Sequence, residues 1–118
     1  RRQRQMCIRD RYEEGYYDCS SLVQRLYQEV GISLPAIAST QGEFMVTHGL
    51  EVTEGELEPG DLIFYSYEQN GQFRNISHVA IYVGNGRMVH AANSRRGVVN
   101  DPFNPSNIGL YGRPSRLQ

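Results

Sequence analysis

One run limits the fold more than any other. Val79-Ala80-Ile81-Tyr82-Val83 is followed by Gly84-Asn85-Gly86 and then by Arg87-Met88-Val89-His90-Ala91. Two β-rich runs joined by a glycine-flanked asparagine predict a β-hairpin. Counting outward from Asn85 pairs 83 with 87, 82 with 88 and 80 with 90. His78 then precedes the first strand and His90 lies on the second. Their numbers differ by an even count, so both rings can share one face of the sheet.

The other elements fall in around this hairpin. Leu62-Ile63-Phe64-Tyr65 reads as a buried strand, entered through the turn Glu58-Pro59-Gly60-Asp61. Glu68 to Asn75 reads as a hairpin loop, and Gly97-Val98-Val99 as a short strand. Asp101-Pro102 and Asn104-Pro105 are expected to break regular structure. Leu110 to Arg113 is expected to add a last edge strand. Upstream, Leu22, Val23, Leu26, Tyr27 and Val30 recur at helical spacing. They predict a helix over 20–30, with Asp18 and Ser20 as caps and Gly31 as the residue after its end. A shorter helix, capped by Ser39 or Thr40, is expected to run to about Val46 with Phe44 and Met45 inward. Glu51 to Glu58 carries four glutamates and reads as a solvated connection. Helices first and antiparallel strands after them give an α+β class.

The hairpin acquires chemical interest from Cys19. That thiol stands just before the first helix, where unpaired N–H groups and the helix dipole favour an anion. A thiolate is the nucleophilic form of cysteine, and an adjacent imidazole helps to make it. The imidazole in turn needs a polar group to fix its tautomer. Cys19, His78 and His90 could fill these three roles, with the Cys19 N–H as an oxyanion donor. Three alternatives stay open on spacing alone. Cys19 could be a small buried apolar residue, the histidines could be satisfied polar groups, or the three could bind zinc. No paired C-x-x-C or H-x-x-x-H spacing supports the metal. His48, beside Gly49, reads as a surface residue.

Charge excludes little but directs attention. The 118 residues carry 12 basic side chains, all arginine, and a net charge of -1. This gives no strong nucleic-acid signal. Five arginines lie in the first eleven positions, so the remainder is mildly acidic, at 7 Arg against 12 acids. No apolar run approaches the ~20 residues of a membrane span. No signal peptide is visible, and two cysteines make no disulfide framework. Residues 1–11 could be a basic arm or a disordered tail. Met6 to Arg11 also resembles translated adapter sequence, which would make 1–11 non-native and 12–118 an N-terminally incomplete domain. Cys7 would then have no function.

Four blocks carry a resemblance. Asp18-Cys19-Ser20-Ser21-Leu22-Val23, Glu58-Pro59-Gly60-Asp61-Leu62-Ile63-Phe64-Tyr65, Ile76-Ser77-His78 running on to Gly86, and Met88-Val89-His90-Ala91 occur in an order that resembles the NlpC-type cell-wall cysteine peptidases. The resemblance covers roughly Tyr16 to Ala92. It implies a papain-like fold with the nucleophile helix packed on an antiparallel sheet. It implies cleavage of peptidoglycan stem peptides, typically between γ-D-glutamyl and a diamino acid; no cofactor or metal is expected. By position Cys19 matches the nucleophile, His78 the base and His90 the orienting residue. Asp18, Ser20 and Ser77 become candidate substrate contacts. Ser21 stands where a glycine is common, and the upstream cleft tyrosine has no clear counterpart among Tyr12, Tyr16 and Tyr17. The substrate implies a secreted or wall-associated protein, to which further wall-targeting domains could belong. An amidase or acyltransferase of related fold, or an inactive wall-binding module, are the competing readings.

Overall fold

The computed structural model describes residues 19–93 and 95–117. Helix α1 (Cys19–Gln28) and helix α2 (Ala38–Thr47) precede a six-stranded sheet. Its strands are β1 (Glu51–Val52), β2 (Leu62–Tyr65), β3 (His78–Gly84), β4 (Arg87–Asn93), β5 (Gly97–Pro102) and β6 (Ile108–Gly112). The order across the sheet is β1-β6-β2-β3-β4-β5, and every pairing is antiparallel. The α+β class expected from the sequence is the one found. Among the described residues no helix is long and apolar enough to cross a membrane.

Alternation along the strands builds two apolar layers. Leu62, Phe64, Val79, Ile81 and Leu110 pack with Val23 of α1 and Met45 of α2. Ile63, Tyr65, Ala80, Met88 and Tyr111 form the layer on the opposite face. Helix α1 lies against β3 and β4. It ends as the sequence predicts, with Gly31 at φ +87°. There the N–H of Ile32 donates to Tyr27 O (3.0 Å) and that of Gly31 to Gln28 O (3.1 Å), the paired bonds of a Schellman motif. The Tyr27 hydroxyl donates to Gly60 O, tying the helix to the turn before β2.

That turn also matches its sequence signal. Asp61 N–H donates to Glu58 O (3.0 Å), and Gly60 takes φ +98°. The buried Asp61 carboxylate accepts the Glu58 N–H and two bonds from Arg113 at 2.9 Å each, clamping the start of β2 to the end of β6.

Several expectations need correction. Glu51–Val52 is a strand paired with β6, and Glu54–Glu56 forms a 3₁₀ turn closed by a Thr53–Glu56 capping box. β6 lies inside the sheet, between β1 and β2, so it is no edge strand. β5 continues through Asn100, Asp101 and Pro102. Proline tolerates this because β5 is itself an edge strand and Pro102 is its last residue. Helix α2 starts at Ala38 after Ile37, and no side chain caps that end; Thr40 Oγ1 instead donates to Ile37 O (2.8 Å). Met45 is fully buried but Phe44 only partly so.

The approach of α2 to β6 requires Gly112. A Cβ there would meet Met45 Cγ at 2.4 Å and Sδ at 2.5 Å, and Met45 is fully buried. Gly112→Ala should therefore cost about 1–3 kcal/mol through overpacking. Urea unfolding would register this as a lower midpoint at unchanged slope, and an unshifted midpoint would refute the packing argument.

Candidate active site

The hairpin turn brings the two predicted imidazoles together. Asn85 and Gly86 both take positive φ, +54° and +70°, as a type I′ turn requires. Tyr82 pairs with Met88 and Ile81 with Val89, as counted from the sequence. Nearer the turn the register shifts, so Arg87 faces Gly84 and not Val83. At the far end His78 Nε2 lies 2.8 Å from His90 Nδ1, with the rings edge to face at 5.0 Å. His90 is 8% exposed.

Two residues that sequence reasoning missed extend this line. His90 Nε2 lies 2.9 Å from Asp101 Oδ2. Arg96, from the β4–β5 turn, donates to both carboxylate oxygens of Asp101, at 2.9 and 2.8 Å. Strand register explains the meeting. His90 faces Val99 and Met88 faces Asp101, so Asp101 stands diagonal to His90 on the same face. The Arg96 guanidinium, then the bond to His90, hold the Asp101 carboxyl far below the usual carboxylate range.

His78 stands against a tyrosine wall. It pairs with Tyr65 across β2–β3, and its ring lies 5.9 Å from that of Tyr65 and 6.3 Å from that of Tyr67. The two tyrosine rings stack at 5.6 Å and 7°. Tyr65 is buried, and its hydroxyl donates to Asn104 O (2.7 Å). Burial, with the neighbouring Tyr67, pushes its phenol up to about 12. Burial, then repulsion from His90, lowers His78 from 6.5 to about 4, so the ring is a neutral base near pH 7. The 65/67 alternation was the available signal for this wall, though Tyr67 lies beyond the strand itself.

Cys19 opens α1, and its side chain packs against the core layer that contains Val79. The imidazoles occupy the face with Ala80 and Met88, whereas α1 covers the other face. Helix start and imidazoles can therefore meet only around the end of the sheet where β3 begins. Tyr67 marks that place. Partial burial and the charge of Cys19 raise its phenol, while its ring adjoins His78. The helix start is held by α2. Gln41, fully buried, donates through Nε2 to Ser20 O (3.0 Å) and Pro35 O (2.8 Å).

The expected substrate contacts fare differently. Ser77 is exposed, next to His78. Ser20 is 4% exposed and has almost no surface to offer a substrate, because the helix turns it inward. Asp18, Cys7 and the three upstream tyrosines lie outside the described residues. His48 is exposed, as expected, and stacks on Phe44 at 4.0 Å.

Comparison with known proteins adds the family. The NlpC/P60 family pattern matches residues 9–108. A γ-D-glutamyl-L-lysine dipeptidyl-peptidase of Bacillus cereus is 33% identical over 101 residues, covering 85% of this chain and 28% of that protein. The bifunctional muramidase/DL-endopeptidase CwlT of Bacillus subtilis is 41% identical over 83 residues, covering 69% and 23%. The crystal structure of an NlpC/P60 family protein from Bacillus cereus superposes with a TM-score of 0.70 at 30% identity, covering 85% of this chain and 32% of that one. The chain thus spans less than a third of the length of these curated relatives.

The lowered His78 makes stability depend on pH. The unfolded chain takes up this proton near pH 6.5 and the folded one only near 4. The unfolded state binds more protons between these values, so the contribution is complete above 6.5 and lost as pH falls to 4. The loss is about 3 kcal/mol. Urea unfolding at pH 7 and pH 4 should show it in the parent chain and largely remove it in His78→Gln; equal losses in both would contradict the assignment.

Proposed function

The chain belongs to the NlpC/P60 family, and from that membership we propose that it is a peptidoglycan hydrolase, a cysteine endopeptidase acting on stem peptides. Cys19 is the nucleophile, His78 the base and His90 the residue that orients His78. The observation that carries the reading is the 2.8 Å contact between His78 Nε2 and His90 Nδ1, with a cysteine opening the helix that packs on β3. It occupies one nitrogen of the base and leaves Nδ1 for the thiol.

In the proposed reaction His78 Nδ1 takes the Sγ proton and the thiolate attacks the amide carbonyl. The Cys19 N–H, in the first turn of α1, donates to the developing oxyanion. Collapse breaks the C–N bond, and the imidazolium gives its proton to the leaving amine. Water, deprotonated by His78, then hydrolyses the thioester and restores the thiol. The relatives' names support a bond between D-glutamyl, through its γ-carboxyl, and a diamino acid. Asp18, beside the nucleophile, and Ser77 are the proposed contacts for the substrate's amino end. Such a substrate places the protein outside the cytoplasmic membrane or in the wall.

Defined muropeptides analysed by mass spectrometry test this. The parent chain should release fragments cut at the γ-D-glutamyl bond. Cys19→Ala should fall by at least about 10³-fold, since the nucleophile carries the covalent step. Undiminished release by that variant would reject the mechanism. A cut at the sugar–peptide amide, or acyl transfer, would instead favour the amidase or acyltransferase chemistry of related folds.

A further inference from the structure

Beyond the three residues of that reading, we propose that Asp101, clamped by Arg96, is a positioning residue that sets the proton order of both histidines and so makes His78 Nδ1 the free lone pair. The inference rests on the proposed cysteine mechanism for its consequence, but its geometry stands independently.

The argument starts at the outer end of the line. Arg96 has only donors, and it delivers two of them to the two oxygens of Asp101. The carboxyl is ionised near neutral pH, hence acceptor-only, and the pairing fixes its orientation. His90 Nε2, 2.9 Å from Oδ2, must then carry its hydrogen. In its neutral form an imidazole has one hydrogen, so in that form His90 Nδ1 is an acceptor. Its partner at 2.8 Å, His78 Nε2, must be the donor. His78 has spent its single hydrogen there, and Nδ1 is left as a base. For neutral rings each step follows from the one before it, and the order originates at the Asp101 carboxylate that Arg96 holds in place. Without the carboxylate, His90 could hold its hydrogen on Nδ1. It would then donate to His78 Nε2 and leave the hydrogen of His78 on Nδ1, where a base is needed.

The surroundings fit a device that sets polarity. Asp101 lies at the solvent edge with 21% of its side chain exposed, and Arg96 with 49%, so neither is needed to fill the core. They occupy an edge strand and its turn, where a carboxylate could have been left in water. Asp101 is instead joined to the imidazole that touches His78, and Arg96 to Asp101.

Asp101→Asn tests the inference. An Asn amide offers His90 a donor where the carboxylate could only accept. The ¹⁵N and ¹H resonances of histidine-labelled protein at pH 7.5 report which ring nitrogens carry hydrogen. In the parent chain His90 and His78 should both be protonated at Nε2. In Asp101→Asn His78 should shift to Nδ1–H. With a soluble stem peptide, kcat should fall about 10²-fold or more at nearly constant KM, by the logic of a triad whose orienting carboxylate is replaced. Arg96→Gln should give a smaller shift in the same direction. If Asp101→Asn fails to fold, Arg96→Gln and Asp101→Ala are read in the same way. Unchanged tautomers in the variants overturn the inference, whatever happens to the rate. If the parent chain cleaves no muropeptide, the enzymatic reading fails, yet a tautomer shift in Asp101→Asn still sustains the positioning role.

Discussion

Register between neighbouring strands is the constraint on which the rest of the site depends. The Asn85-Gly86 turn sets β3 against β4, and the β4–β5 pairing sets Asp101 diagonal to His90. The side-chain period in a sheet is two, so a slip of one residue would carry His90 to the face now held by Ala91. The hydrogen-bonded line would be lost outright rather than weakened. Apolar burial prevents the slip. Ala91 packs beneath Leu22 of α1 on one face and Met88 joins Ile63 and Tyr65 on the other, so an offset strand would turn apolar side chains outward along its length. The geometry of the imidazoles is thus enforced by residues that take no part in any chemistry.

The two faces of the sheet do separate jobs. The helices seal one face and present the start of α1 at the end of the sheet. The other carries the polar line and the tyrosine wall. Two anchors keep the layers in place: the Tyr27 hydroxyl on Gly60 O, and Gln41 on Ser20 O. Both act on α1, one near its end and one at its first turn. A cysteine on this helix therefore has its position fixed relative to β3, which is what a proposed nucleophile needs if the cost of alignment is to be met during folding rather than during reaction.

Much of this was legible in the sequence, and the gaps have physical causes. The hairpin, the even spacing of His78 and His90, the Pro59-Gly60 turn and the glycine ending α1 are local features, and each was found where expected. What escaped was non-local. Glu51–Val52 looked like a solvated link because its composition is acidic, yet its backbone pairs with β6. Leu110 to Arg113 was read as an edge strand, since nothing in its residues tells that β1 will cover its outer side. Asp101 stands next to a proline, which in a sequence signals the end of regular structure. That rule holds for central strands and fails at the last residue of an edge strand. The sequence signal for β5 ends at Val99, two residues short of the position diagonal to His90. Ser20 shows the opposite error: proximity in sequence to a candidate nucleophile suggested access, and the first helical turn buried it.

Burial at His78 sets a further condition on the proposed chemistry. A thiol near its usual pKa of about 8.5 and an imidazole near 4 differ by about 4.5 units, so proton transfer between isolated groups would cost about 6 kcal/mol. The charges do not appear in isolation. A thiolate and an imidazolium at about 4 Å attract by about 4 kcal/mol at an effective dielectric of 20. The helix start adds about 1 kcal/mol for the anion. The remainder is near 1 kcal/mol, small enough for the hydrogen bond from His78 Nε2–H to His90 to close, since that bond strengthens when its donor becomes charged. In the proposed site the neutral pair and the ion pair then lie close in energy, and the neutral pair stays populated before substrate arrives. A neutral resting state makes the tautomer of His78 decisive: an imidazolium would have a hydrogen on both nitrogens and no order to preserve, whereas a neutral ring must keep the correct nitrogen bare. The low proton affinity of His78 and the Arg96–Asp101–His90 line are in this sense one arrangement, because the first creates the choice that the second makes.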